Sequence, residues 1–307
     1  MPGVYLGTSD FAATVLEILA ASEQKPELVV TLPDRRRGRG RKEQASPVAE
    51  KAEELGIAVL KSGNVNEDGD RAKILEVGGE WASICAFGQL IKEPLLSELP
   101  MLNVHPSLLP RWRGAAPVER AIMKGDAETG VCVMRLVAGL DSGPVALREV
   151  TPIGSEEDFG SLSARLAEIG GRLLVEGLTA AMNGSITWQE QGEEGLTYAE
   201  KIDATDREIN PKLAAGQIHG QVRGLTPHIG AWLPLGEDER LGIRATTVLD
   251  SGPSAGEFAD QDGWPVLGCG EGAIRLDRVQ PPGKKEMDGD AWLRGSGKTV
   301  LGGSGQP

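Results

Sequence analysis

The chain reads as an α/β protein, a doubly wound parallel sheet followed by a small β-barrel. Three observations predict it. Short β-rich apolar runs alternate with helical periodicities through residues 1–183. The periodicity weakens across residues 184–205, where Gly, Glu and Ser accumulate as in a linker. Residues 206–301 then turn to short strands broken by Gly, Pro and Asp, the pattern of a small barrel. A chain of 307 residues has room for two domains with separate cores. The final GGSGQP, residues 302–307, is expected to form a flexible tail.

Taken in order, Gly3 to Leu6 and ELVVTL at 27–32 are strand-like. Between them FAATVLEILAAS repeats apolar residues at helical spacing behind the capping candidates Thr8, Ser9 and Asp10, which makes a βαβ unit. A helix near Pro47 to Leu55, a strand at Ala58 to Leu60, a helix near Arg71 to Val77, a strand at Trp81 to Ala86 and the strand MLNV at 101–104 continue the alternation. In such sheets ligands bind outside the carboxyl ends of the strands. TGVCVMRLV and PVALREVTPI add two strand-like runs, and a helix is expected over about Phe159 to Met182. The later region supplies one helical segment, KLAAGQIHGQVRGL, and the runs AWLPL, LGIRATTVL, WPVLGC and AIRLDRVQ.

Composition narrows the function. Apolar residues are 40% and charged residues 25%, which fits a folded soluble chain and excludes collagen or coiled coil. No apolar run is long enough to span a bilayer, and MPGVYLGTSDF lacks a basic region before an apolar stretch, so a cytoplasmic location is expected. Cys85, Cys132 and Cys269 stand far apart, without a CxxC pair, and read as reduced, mostly buried thiols. With 32 basic against 45 acidic residues, net charge is −13, which excludes a protein coated in positive charge for nucleic acid. One island breaks that pattern: Arg35, Arg36, Arg37, Arg39, Arg41 and Lys42 put six positive charges into eight residues. The simplest reading of such an island is a solvated, flexible loop.

Nucleotide signatures fail. Gly297-Lys298-Thr299 resembles the end of a phosphate loop, but Trp292 stands where its opening glycine belongs, and no GxGxxG, GxSxG or HExxH occurs. The informative segment is LNVHPSLLPRWRGAAP, residues 102–117. Asn103 and His105 are two apart on a strand, so an amide and an imidazole leave one face of a strand end together. Only three histidines occur, which leaves few candidates for a neutral-pH base. Asp141, between Gly139 and Gly143 after a strand, adds a carboxylate on a tight turn. Beside His105 it would fix the tautomer and strengthen the ring as a proton acceptor. A hydrolytic triad of Ser107, His105 and Asp141 is rejected, because Ser107 is two residues from the histidine and lacks a nucleophile elbow.

Asn103-x-His105, Ser107-Leu108-Leu109-Pro110, Gly114, and Asp141-Ser142-Gly143 thirty-six residues after the histidine together resemble the 10-formyltetrahydrofolate-dependent formyltransferase family. The wider match, through YLGTSDFAATVLEIL, PDRRRGRGRK, SPVAEKAEELGI, LLPRWRGAAPVERAIMKGDAETGV and TYAEKI, is similar to its methionyl-tRNA formyltransferase branch. The resemblance implies a Rossmann-type sheet domain followed by an OB-like barrel. It further implies transfer of formyl from 10-formyltetrahydrofolate, the co-substrate, to methionyl initiator tRNA, by a monomer without a metal. Carried onto this sequence, it makes Asn103, His105 and Asp141 catalytic and Ser107, Leu108, Leu109 and Pro110 the folate-contacting segment. The six charges from Arg35 to Lys42 become the tRNA contact. Pro106, and Asn210-Pro211 in place of Asp-Trp, depart from the pattern. A formyltransferase for a small amine, such as glycinamide ribonucleotide or an amino-sugar nucleotide, accounts for the catalytic set but leaves the basic run and barrel idle. A non-catalytic RNA-binding protein leaves the folate segment idle.

Overall fold

The computed structural model describes residues 3–37, 42–235 and 239–297, so the expected tail at 302–307 lies outside the described residues. The chain opens with β1 (Val4–Gly7), α1 (Asp10–Ala20) and β2 (Leu28–Thr31), the βαβ unit that the periodicity predicts. Of the three capping candidates, Ser9 is the one that caps α1, its hydroxyl accepting from the Ala12 N–H. Thr8 instead donates its hydroxyl to the Phe87 carbonyl. Next come β3 (Arg35–Arg37) and β4 (Lys42–Gln44), paired antiparallel where the sequence suggested only a loop. Then follow α2 (Pro47–Glu54), β5 (Ala58–Lys61), α3 (Asp68–Glu76), β6 (Ala82–Cys85), α4 (Leu95–Glu98) and β7 (Met101–His105). β8 (Arg113–Gly114), α5 (Pro117–Lys124), β9 (Glu128–Arg135), β10 (Val145–Pro152), α6 (Phe159–Met182) and β11 (Tyr198–Ala199) complete this part of the chain.

The chain divides into two compact units. The first holds the described residues to Pro117 together with Glu128–Pro152 and Ser163–Ala199. Its sheet runs β10-β9-β7-β6-β1-β2-β5. β5, β2, β1, β6 and β7 are parallel, and each residue of β1, β6 and β7 is buried, as continuous apolar runs in a covered parallel sheet require. The strand order reverses between β1 and β6, which is the switch point of a doubly wound sheet. A wholly parallel sheet is not what forms: β9 pairs antiparallel with β7, and β10 antiparallel with β9. An apolar run carries no record of direction, and the short Leu136–Pro144 connection admits an antiparallel return that a crossover helix would not.

The second unit holds Val118–Ala127, Ile153–Leu162 and the described residues from Glu200. Here α7 (Ala215–Leu225) precedes β12 (Ala231–Pro234), β13 (Arg240–Leu249), β14 (Phe258–Gln261), β15 (Trp264–Gly268), β16 (Ala273–Gln280), β17 (Met287–Asp288) and α8 (Gly289–Trp292). The strands form an antiparallel, barrel-like sheet in the order β12-β13-β16-β15-β14, with β17 on β16. Ile218, Val222 and Leu225, spaced three and four apart on α7, lie in one buried cluster with Leu233, Leu241, Ile243, Leu276 and Trp292. Arg120 grips Asp206 through both guanidinium ends, at 2.6 and 2.7 Å, and this pair holds the Asp206 carboxyl below the usual carboxylate range.

Candidate active site

β7 sits between β6 and β9, with Asn103 opposite Ile84 on one side and Met134 on the other, and His105 opposite Cys132. Asn103 is 9% exposed and His105 4%, so both polar side chains are held in a largely apolar sheet. Such burial needs partners. His105 Nε2 lies 2.8 Å from the Trp112 carbonyl, and a carbonyl only accepts, so Nε2 carries the proton. That leaves Nδ1 facing Asp141 Oδ2 at 3.7 Å, a gap too wide for a direct hydrogen bond. A proton-bearing group set beside the pair, at about 2.8 Å from each atom, can reach both. The neighbouring Cys132 thiol is pushed up by burial and stays neutral.

Asp141 is fixed from several directions. Its Oδ2 accepts the Gly114 N–H at 2.8 Å. Its own carbonyl accepts from Gln191 Nε2 at 2.8 Å. Its backbone sits at φ +44°, and that of Trp112, which serves His105, at φ +63°. Left-handed conformations at non-glycine residues cost of order 1–3 kcal/mol each and persist where the surroundings over-determine them. Both lie against the histidine. Trp112 is held by its N–H, which donates to Thr197 Oγ1 at 2.9 Å.

Of the segment expected to contact folate, Ser107 and Leu109 are buried while Leu108 and Pro110 are half-buried. Ser107 Oγ donates to the Arg111 carbonyl at 2.6 Å, so it is no free nucleophile. Leu109 packs with Cys132, Met134 and Val145. A cleft of about 360 Å³ is lined by Glu93, Leu96, Ser97, Pro100 and the run Arg135–Ala138, beside the Met101 end of β7 and away from the His105 end.

The basic run forms the β3–β4 pair, with Arg35 exposed. Arg36, Arg37 and Lys42 lie on these strands, whereas Arg39 and Arg41 lie outside the described residues. Just before β3, Asp34 bonds Lys61 of β5 at 2.8 Å, and this carboxylate raises the Lys61 ammonium above its ordinary value. Sequence reasoning missed Trp112, Gln191 and Thr197 as partners of the trio. Trp112 acts on His105 through its backbone carbonyl, and Gln191 and Thr197, which act through their side chains, fall in a stretch without periodicity, so residue type and spacing carried no signal for any of them.

The formyl transferase family matches residues 4–178, and the formyl transferase C-terminal domain matches residues 201–297. The methionyl-tRNA formyltransferase of Jannaschia sp. (strain CCS1) is 39% identical over 295 residues, covering 95% of this chain and 96% of its own. That of Dinoroseobacter shibae is 40% identical over 294 residues, with the same coverage. Among solved structures, the N-formyltransferase from Helicobacter canadensis superposes with a TM-score of 0.67 at 18% identity, covering 92% of this chain and 99% of its own. The sugar 3N-formyltransferase WlaRD gives 0.67 at 17% identity, covering 93% and 99%. At such identities the two structures speak to the fold alone.

Proposed function

Because the chain belongs to the methionyl-tRNA formyltransferase family, we propose that it moves the formyl group of 10-formyltetrahydrofolate onto the amino group of methionyl initiator tRNA. The observation that carries this reading is the meeting of Asn103 and His105 on one strand end with Asp141 across a 3.7 Å gap. The methionyl amine attacks the formyl carbon, forming a C–N bond and leaving negative charge on the formyl oxygen. The Asn103 amide N–H donates to that oxygen, and an oxyanion donor of this kind contributes about 3–4 kcal/mol. The amine becomes cationic as it attacks. Asp141 Oδ2 and His105 Nδ1 face each other across the space such a proton must leave through, and the pair takes it up. The bond from formyl carbon to folate nitrogen then breaks, and the pair returns one proton to the departing nitrogen. Trp112, by accepting from Nε2, keeps Nδ1 as the working atom of the ring.

The folate is assigned to the Ser107–Pro110 turn after β7, where Leu108 and Pro110 are partly open to a ligand. The tRNA is assigned to the β3–β4 basic pair and the Arg39 and Arg41 charges between its strands. On a chain of net charge −13, phosphate attraction has to be concentrated in such an island. The test compares acceptors. Purified protein and 10-formyltetrahydrofolate are incubated with methionyl initiator tRNA, with an amino-sugar nucleotide and with glycinamide ribonucleotide. Formyl recovered on the charged tRNA alone supports the reading, and formyl recovered on a small amine alone overturns it.

A further inference from the structure

Residues 189–199, whose composition reads as a connector, run alongside the site. Gln189 pairs with Val145 in both backbone directions. Arg113 N–H donates to the Thr197 carbonyl, and the Ala115 and Ala116 N–H groups donate to that of Ala199. Between these anchor points stands Gln191, half-buried, with all four of its amide bonds made. Its Oε1 accepts from Arg113 Nε at 3.0 Å and Nη2 at 2.7 Å. Its Nε2 donates to the carbonyls of Asp141 at 2.8 Å and Gly143 at 2.7 Å. The orientation of the amide is forced, since guanidinium only donates and carbonyl only accepts.

These bonds close a ring around the carboxylate. The Asp141 carbonyl is tied to Gln191, Gln191 to the Arg113 side chain, and the next residue, Gly114, gives its N–H to Asp141 Oδ2. Main chain and side chain of Asp141 are thus both referred to the single Arg113–Gly114 step. A residue at φ +44° relaxes away from its geometry when such restraints go, and the 3.7 Å spacing to His105 goes with it.

We propose that Gln191 is a positioning residue for formyl transfer, fixing Asp141 against His105 through Arg113; the assignment of chemistry to Asp141 rests on the function proposed above. Gln191→Glu tests it. Its carboxylate still accepts from Arg113 but offers nothing to the two carbonyls. Gln191→Met, similar in length and devoid of polar atoms, is the second variant should the first fail to fold. The expected result is a kcat at least about tenfold lower with both KM values within about twofold, the signature of lost transition-state geometry. Amide exchange at Gly114, followed by NMR without substrates, is expected to quicken by about tenfold while the amides of β1 keep their protection. A folded variant with unchanged kcat, or with its whole defect in KM, overturns the proposal. The exchange measurement needs no turnover: if the wild-type protein fails to formylate methionyl-tRNA, the proposed function falls, while unchanged Gly114 exchange overturns the positioning role by itself.

Discussion

Substituting Gly114 by alanine perturbs the site through its backbone. Gly114 sits at φ +120°, a region L residues rarely adopt, and a Cβ there would stand 2.8 Å from the Ala199 carbonyl oxygen. That neighbour is backbone in the β8–β11 pair, so relief requires the strands to part. The Gly114 N–H would then withdraw from Asp141 Oδ2, now 2.8 Å away. Strain of this kind costs about 1–3 kcal/mol, and a hydrogen bond to a charged group is worth about 1.5–3 kcal/mol. If the transition state loses about 2 kcal/mol, kcat falls roughly 30-fold. Steady-state formyl transfer at saturating folate and tRNA reads this directly. Gly56→Ala is the control, since Gly56 is also left-handed, at φ +66°, but has nothing within 4 Å of the added Cβ. It should lower Tm and leave kcat alone. A Gly114→Ala enzyme with kcat within about twofold of wild type, or a Gly56→Ala enzyme equally slowed, would refute the reasoning.

Asn103→Ala removes the donor to the developing oxyanion, so kcat should drop by about 10²–10³ with folate affinity retained by fluorescence titration. Replacing Arg36, Arg37, Arg39 and Arg41 together by alanine should raise the KM for tRNA and flatten its salt dependence; parallel salt plots with equal KM would remove the island from the account. All three cysteines are free and buried, and burial pushes the Cys85 thiol up to about 12. Iodoacetamide at pH 8.5 should therefore label none of them in the native protein and all three in urea, by mass spectrometry. For Cys85 the sign runs one way: its contribution to stability is intact below the ordinary thiol range and is lost as pH rises toward 12, because the unfolded chain ionises first.

Much of the fold was legible where periodicity and chemistry agree. The first βαβ unit, α2 starting at Pro47, and α6 over Phe159–Met182 match the elements expected from caps and spacing. The run PVERAIMK of α5 did not announce itself, because eight residues give barely two turns in which to show a period. The β3–β4 pair was hidden by its composition, since a run of arginine with glycine looks solvated whether or not its ends pair. Asn103, His105 and Asp141 could be found because rare side chains stood at strand ends and in a glycine turn. What holds them could not, because the Trp112 carbonyl and the Gly114 N–H are backbone groups common to every residue type. Their role arises only when Thr197 and Gln191, 85 and 50 residues from Trp112 and Asp141, are brought beside them by the fold.

The central claim is that the Asn103, His105 and Asp141 set performs formyl transfer to an aminoacylated tRNA. Single-turnover transfer of labelled formyl to methionyl initiator tRNA by wild type and His105→Ala measures it most directly, with enzyme in excess and folate and tRNA binding checked separately. The account predicts formylmethionyl-tRNA from wild type and a rate about 10²–10⁴ lower in the variant, with both ligands still bound. A His105→Ala protein that formylates the tRNA at the wild-type rate would contradict it.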